Sequence, residues 1–177
     1  MTKLVITRKP IGVSKPNLSS ELIGVLSKPK SNWKSELKRL KLENIKNTSP
    51  DFYELSGGER MKIKAYDDTS ANGLTKCIID WINFKGGSAT RINCTGQVRR
   101  INGEMKWTPG TTRIGVSDVH ACVKGRHCSI EVKIGKDRMS EAQYKEQGRI
   151  EAAGGLYYVA KDMESFVEWY SKTFDHE

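Results

Sequence analysis

From Val116 to Ile134 the chain largely alternates between apolar and polar residues, VSDVHACVKGRHCSIEVKI, with a turn signal at Lys124-Gly125. Successive side chains on a strand point to opposite faces, so a period of two marks a strand. Two antiparallel strands, Val116–Val123 and Arg126–Ile134, joined at Lys124-Gly125, collect Val119, Ala121, Val123, Cys128, Ile130, Val132 and Ile134 on one face. That apolar surface must be buried against helices. A slip of one residue would turn it toward solvent, so the pairing register is tightly constrained.

The same register places Asp118 directly across from Glu131, and Lys133 two positions further on the same face. Directly opposed residues have Cβ atoms about 4.5–5.5 Å apart, and two like charges so placed repel. A shared proton, a neighbouring cation or a metal ion offsets the repulsion. Lys133 supplies one charge; a divalent ion held by both carboxylates supplies two. Oxygen ligands of this kind suit Mg²⁺, which keeps several waters and binds substrate phosphate. Such an ion activates water and stabilises charge on a phosphoryl oxygen, and a lysine beside it can orient the water or meet the developing charge. Hydrolysis of a phosphodiester is the reaction these parts fit. The competing expectation is a surface Asp and a Glu–Lys pair on an exposed sheet face.

The rest of the chain provides the helices. Residues 71–85, ANGLTKCIIDWINFK, place Leu74, Ile78, Ile79 and Ile82 on one side, and Gly86-Gly87 end the helix. Residues 88–95 alternate as a strand. Arg99 and Arg100 precede Asn102-Gly103, a strong hairpin signal, and 108–112, TPGTT, reads as loop. A helix over 140–153 ends at Gly154-Gly155, a short buried strand follows at 156–160, and a helix over 162–174 carries Met163, Phe166, Val167 and Tyr170. The order helix, three strands, helix, strand, helix predicts an α/β domain with a mixed sheet over residues 65–177.

Net charge is +9, and residues 1–64 carry 14 Lys and Arg against 6 Asp and Glu. Residues 1–30, with Pro10, Pro16 and Pro29, read as extended or partly disordered. Residues 32–46 read as a helix capped by Asn32, with Trp33, Leu37 and Leu40 on its stripe, broadened by Leu42 and Ile45. Lys38 and Arg39 lie among its basic residues. This N-terminal extension predicts a polyanionic partner, against a plain solvated helix face. No apolar run is long enough to span a membrane, and the N-terminus lacks the apolar core of a signal peptide. A reducing, cytoplasmic setting is expected, with the four cysteines as free thiols.

Four blocks in order, Gly115-Val116-Ser117-Asp118, Glu131-Val132-Lys133, Ser140-Glu141-Ala142-Gln143, and Gly154-Gly155 with Leu156–Ala160, resemble the PD-(D/E)XK nuclease superfamily, and within it the VRR-NUC branch of phage and repair nucleases related to Holliday-junction resolvases. The resemblance spans roughly residues 70–170. It implies a restriction-endonuclease-like core (αβββαβ) and a Mg²⁺-dependent deoxyribonuclease of a bacterial cell or phage-infected host, with Mn²⁺ able to substitute and no organic cofactor. It implies Asp118, Glu131 and the Val132 carbonyl as metal ligands, Lys133 acting on the attacking water, and Gln143 supporting the site. A homo-oligomer would suit an enzyme that cuts paired strands. Ser117 stands where the family usually has Pro. The family's acidic residue on the first core helix has no clear counterpart: Asn72 and Thr75 occupy the region, with Asp68 and Asp80 the nearest acids.

Other readings compete. Ser140-x-x-Gln143 is also a capping box by composition. His120, Cys122, His127 and Cys128 invite a zinc reading, but Cys128 faces away from the other three and the spacing matches no common zinc pattern. Arg91, Arg99, Arg100 and Arg113 are candidate phosphate contacts, which would position DNA without reading its sequence. There is no Walker-type loop and no G-x-S-x-G elbow. The functional rivals are a non-catalytic nucleic-acid-binding module, an RNA-directed nuclease and a dimeric restriction-type enzyme.

Overall fold

A computed structural model describes residues 32–93, 96–108 and 113–175. The extended reading of 1–30, Cys94 and the loop at 109–112 lie outside the described residues. In chain order the elements are α1 (Trp33–Thr48), α2 (Pro50–Leu55), α3 (Ala71–Phe84), β1 (Ser88–Arg91), β2 (Gln97–Ile101), β3 (Glu104–Thr108), β4 (Val119–Val123), β5 (Arg126–Val132), α4 (Glu141–Ala152), β6 (Leu156–Ala160) and α5 (Met163–Phe174), with a 3₁₀ turn at Gly58–Arg60. One sheet runs β1-β4-β5-β6, and β2 and β3 form a separate two-stranded ribbon. β1, β4 and β5 are antiparallel, whereas β6 lies parallel to β5. The fold is mixed α/β with a mixed sheet.

The register is the one the alternation predicts. Val119 pairs with Ile130, Ala121 with Cys128 and Val123 with Arg126. Lys124 and Gly125 close the hairpin at φ 48° and 76°, the two positive values a type I′ turn requires. The strands are shorter than expected: β4 begins at Val119, not Val116, and β5 ends at Val132, not Ile134.

Val119, Ala121, Val123, Cys128, Ile130 and Val132 are buried against α3, α5 and α1. α3 begins at a Ser70 cap whose hydroxyl accepts from the Gly73 N–H at 3.1 Å, and buries Leu74, Cys77, Ile78, Trp81 and Ile82. Ile79, expected inward, is only partly buried against this core. α5 begins at Asp162, whose carboxylate accepts from the Ser165 N–H at 2.7 Å, and buries Met163, Phe166, Tyr170 and Phe174 at helical spacing. Each such side chain, fully buried, contributes about 1.5–3 kcal/mol.

Four features differ from the sequence expectation. α1 is no outlying arm: Trp33, Leu37 and Leu40 enter the main core, and the compact unit runs from Ser31 to Glu177. The boundary expected at 64/65 therefore marks no break in packing, because the apolar stripe of α1 outweighs its charge. Asn32 stands at the N-cap without a side-chain capping bond. β1 stops at Arg91, not residue 95, and the chain leaves the sheet for the ribbon. β6 is an edge strand whose first four residues are half-buried, because among the described residues nothing pairs beyond it. Among the described residues no helix is long and apolar enough to cross a membrane.

Candidate active site

β5 is the most enclosed strand. β4 and β6 flank it, and every residue from Cys128 to Val132 is buried. Glu131 lies on the face opposite the core, yet it is only 2% exposed and Lys133 only 9%. The exposed-surface expectation for this pair is thereby excluded. α4 closes the face, and the loop before β4 packs tightly on it. Gly115 sits at φ +90°, where an added Cβ would stand 2.4 Å from the Ala142 carbonyl oxygen.

The Glu131 Oε1 atom accepts from the Lys133 ammonium at 2.9 Å and from the Gln143 amide. Its Oε2 atom is buried without a hydrogen-bond partner. Burial raises the Glu131 carboxyl above its ordinary value; the Lys133 hydrogen bond opposes this and the Asp118 charge adds to it. For Lys133 burial acts to lower the value, but Glu131, with Asp137 behind it, prevails and the net shift is upward. The lysine is a held cation, 3.5 Å from the Asp137 carboxylate.

Asp118 stands one residue before β4. Its Oδ2 atom accepts from the Val132 N–H at 2.9 Å, taking a donor that a continuing strand would have paired with a carbonyl. Its own carbonyl accepts from the Ile92 N–H at 2.8 Å. The carboxylate is thereby drawn onto β5 beside the Glu131-Val132 peptide.

Gln143 makes the capping box foreseen for it, and its side-chain amide also reaches Glu131. The Ser140 hydroxyl accepts from the Gln143 N–H at 3.3 Å, and the Gln143 Oε1 atom accepts from the Ser140 N–H at 2.9 Å, which makes a complete capping box. With its oxygen so engaged, the amide turns its NH₂ toward Glu131. The cap of α4 thus orients a donor onto the buried carboxylate.

One residue escaped the sequence reading. Tyr157 of β6 pairs with Ser129, so it shares the polar face with Glu131. Its hydroxyl is buried without a partner, and burial followed by the Glu131 and Asp118 charges pushes its ionisation upward. Tyr158, one position on, points the other way and stacks on Trp169 at 4.4 Å. Alternation within LYYVA would have separated the two tyrosines, had the parallel pairing with β5 been known. Further along this face His127 Nε2 lies 3.0 Å from the Ser129 hydroxyl, and His120 meets His127 edge to face at 5.2 Å. Burial, then the His127 charge, lowers His120, so it is held toward its neutral form.

The structure brings Asp118, Glu131, Lys133, Gln143 and Val132 together, and separates them from other candidates. α1 packs on the opposite side of the sheet, so Lys38 and Arg39 do not approach the carboxylates; Arg39 is held by Glu36 at 2.8 Å and Glu43 at 3.0 Å. Arg91 pairs with Val119, and alternation turns its side chain to the other face from Asp118. Arg113 bonds to the buried Glu146 at 3.3 Å. Arg99 and Arg100 lie on the exposed ribbon. Both nearby acids are engaged elsewhere: Asp80 on α3 accepts from Tyr66 at 2.8 Å and Lys76 at 2.7 Å, while Asp68, before α3, accepts from the Met163 N–H at 3.0 Å at the start of α5.

Carboxylate oxygens such as those of Asp118 and Glu131 suit a hard cation, and the Glu131 Oε2 atom has no hydrogen-bond partner. Among the described residues no three His, Cys, Asp or Glu side chains converge on one point, so water or substrate oxygens would complete the coordination. No protein-family model matches the chain, and no curated protein matches it significantly.

Proposed function

We propose that the protein is a metal-dependent deoxyribonuclease of the PD-(D/E)XK type, similar to the VRR-NUC branch and built on a restriction-endonuclease-like core. One observation carries the reading: a nearly buried Glu131 shares a sheet face with Asp118, is held by Lys133 and Gln143, and keeps one oxygen unpartnered. Burial of an ionisable group at this cost favours a functional role over a structural one.

In this reading Asp118, Glu131 and the Val132 carbonyl would hold Mg²⁺, which when bound would supply a Lewis acid for the phosphate and an acidified water. Gln143 fixes the Glu131 carboxylate through Oε1 and leaves Oε2 as the oxygen that would be open to a metal. Lys133, anchored on Oε1, orients the attacking water and offers positive charge as the phosphorane oxygens gain negative charge. The Tyr157 hydroxyl is placed to donate to a water or phosphate oxygen on the same face. A non-catalytic DNA-binding module is the second reading, favoured by the engagement of Asp68 and Asp80 elsewhere.

Cleavage of labelled duplex, single-stranded, flap and four-way-junction DNA with Mg²⁺, Mn²⁺ or EDTA separates the two. The nuclease reading expects metal-dependent cutting that falls by on the order of 10²–10³-fold or more in both Glu131→Ala and Lys133→Ala. Intact binding with no cutting of any substrate by the wild-type protein would overturn it in favour of the binding module.

A further inference from the structure

The β2–β3 ribbon leaves the sheet after β1 and returns before β4, so it is inserted next to Asp118: the Ile92 N–H, where the chain departs, bonds to the Asp118 carbonyl. Every residue from Val98 to Trp107 is exposed. An isolated two-stranded hairpin is at best marginally stable in water, and an ordinary structural ribbon would bury one face on the body. This one leaves both faces open.

The two faces differ. Val98 pairs with Trp107 and Arg100 with Met105, so these four share one side. Arg99 pairs with Lys106 on the other, where Lys106 also bonds to Glu104 at 3.2 Å. Trp107 is 65% exposed and Met105 63%, yet the indole is not adrift. An added Cβ on Gly96 would stand 2.3 Å from the Trp107 ring, so the ring lies directly on the glycine backbone. One side of the indole is supported and the rest is open to solvent, with an arginine and a methionine on the same face.

We propose that this ribbon binds unpaired DNA bases, with Trp107 as the stacking platform, Met105 and Arg100 extending it, and Arg99 and Lys106 taking phosphates from the opposite face. Aromatic rings combined with basic side chains are how single strands are held without sequence preference. Three cations against the one acid, Glu104, give the ribbon a charge that complements a polyanion. A second copy of the chain is a poorer occupant: stable interfaces bury about 1,200–2,000 Å², more than four side chains on a short ribbon provide, and Arg100 would be trapped at its centre. The choice of DNA rests on the proposed function; the stacking geometry does not.

The test is fluorescence anisotropy of the full chain with a labelled oligo(dT) 20-mer and a duplex of equal length, in EDTA, over a salt series. Trp107→Ala is expected to weaken oligo(dT) binding roughly 5- to 150-fold while changing duplex binding much less, Trp107→Phe to restore most of the loss, and Gly96→Ala to weaken it by displacing the ring. Arg99→Ala and Lys106→Ala should each lower the salt slope by about 0.7. Oligo(dT) binding unchanged in Trp107→Ala, an equal loss on duplex, or a wild-type dimer that Trp107→Ala dissociates would overturn the inference. The cleavage assay fails separately: a Trp107-dependent binder that cuts nothing keeps the ribbon and loses the nuclease, while a nuclease whose Trp107→Ala variant binds normally does the reverse.

Discussion

Two hairpins in this chain close through the same kind of turn and come to opposite ends. Lys124-Gly125 joins β4 to β5, and Asn102-Gly103, at φ 52° and 85°, joins β2 to β3. The first packs one face into the helical core, and α4 closes the other face over Glu131, so Glu131 and Lys133 lose their water. The second is bare on both faces, and its arginines and tryptophan keep theirs. Local turn chemistry is shared; what the side chains can do is set by what packs over them. Glu131 is displaced from ordinary carboxylate behaviour because it is buried, whereas Arg99 and Lys106 are exposed.

The contrast can be broken most forcefully by truncating each hairpin. Ile130→Ala should cost about 2–5 kcal/mol, because the fully buried side chain leaves a cavity between sheet and helices. Val98→Ala on the ribbon should stay within about 0.5 kcal/mol. Equal shifts in urea midpoint would mean the ribbon is packed after all. A step smaller, Gly115→Ala should destabilise by about 1–3 kcal/mol, since the position combines φ +90° with contact against the Ala142 carbonyl. The same substitution at Gly103, where an added Cβ meets nothing within 4 Å, isolates the backbone strain alone.

Ser140→Ala should cost about 1 kcal/mol through loss of the cap, and it should also loosen the amide of Gln143. Activity falling further than stability would show that the cap serves Glu131; a parallel fall would leave it a helix cap only. The smallest effect is a slope. A carboxyl whose folded value lies above its unfolded one contributes stability that is present below the unfolded value and is lost as pH rises through the folded value. Wild type should therefore lose stability relative to Glu131→Gln as pH climbs above about 4.5, and Mg²⁺ should reverse the trend for wild type only. Urea midpoints from pH 4 to 8 that run parallel would contradict the buried carboxylate.

Much of the site was legible because its determinants are local. The period of two placed Asp118 and Glu131 on one face, the apolar positions excluded a register slip, and Ser140-x-x-Gln143 announced its own cap. The family resemblance added roles for Lys133 and Val132, and those stand as proposals. Tyr157 was not legible, since its place depends on a parallel strand joined through α4. Nor was the burial of Glu131, which needs α4 laid across a face that the alternation alone would have left to solvent.

By itself the sequence determined the two hairpin turns, the cap of α4, the strand register and which residues share a face, because each follows from backbone sterics and side-chain periodicity within a few positions. Tertiary structure alone decided that β5 would be central, that α1 would join the core and not trail from it, and that β2 and β3 would leave the sheet. Those outcomes depend on which surfaces compete to be buried, a property of the whole chain that no short stretch contains.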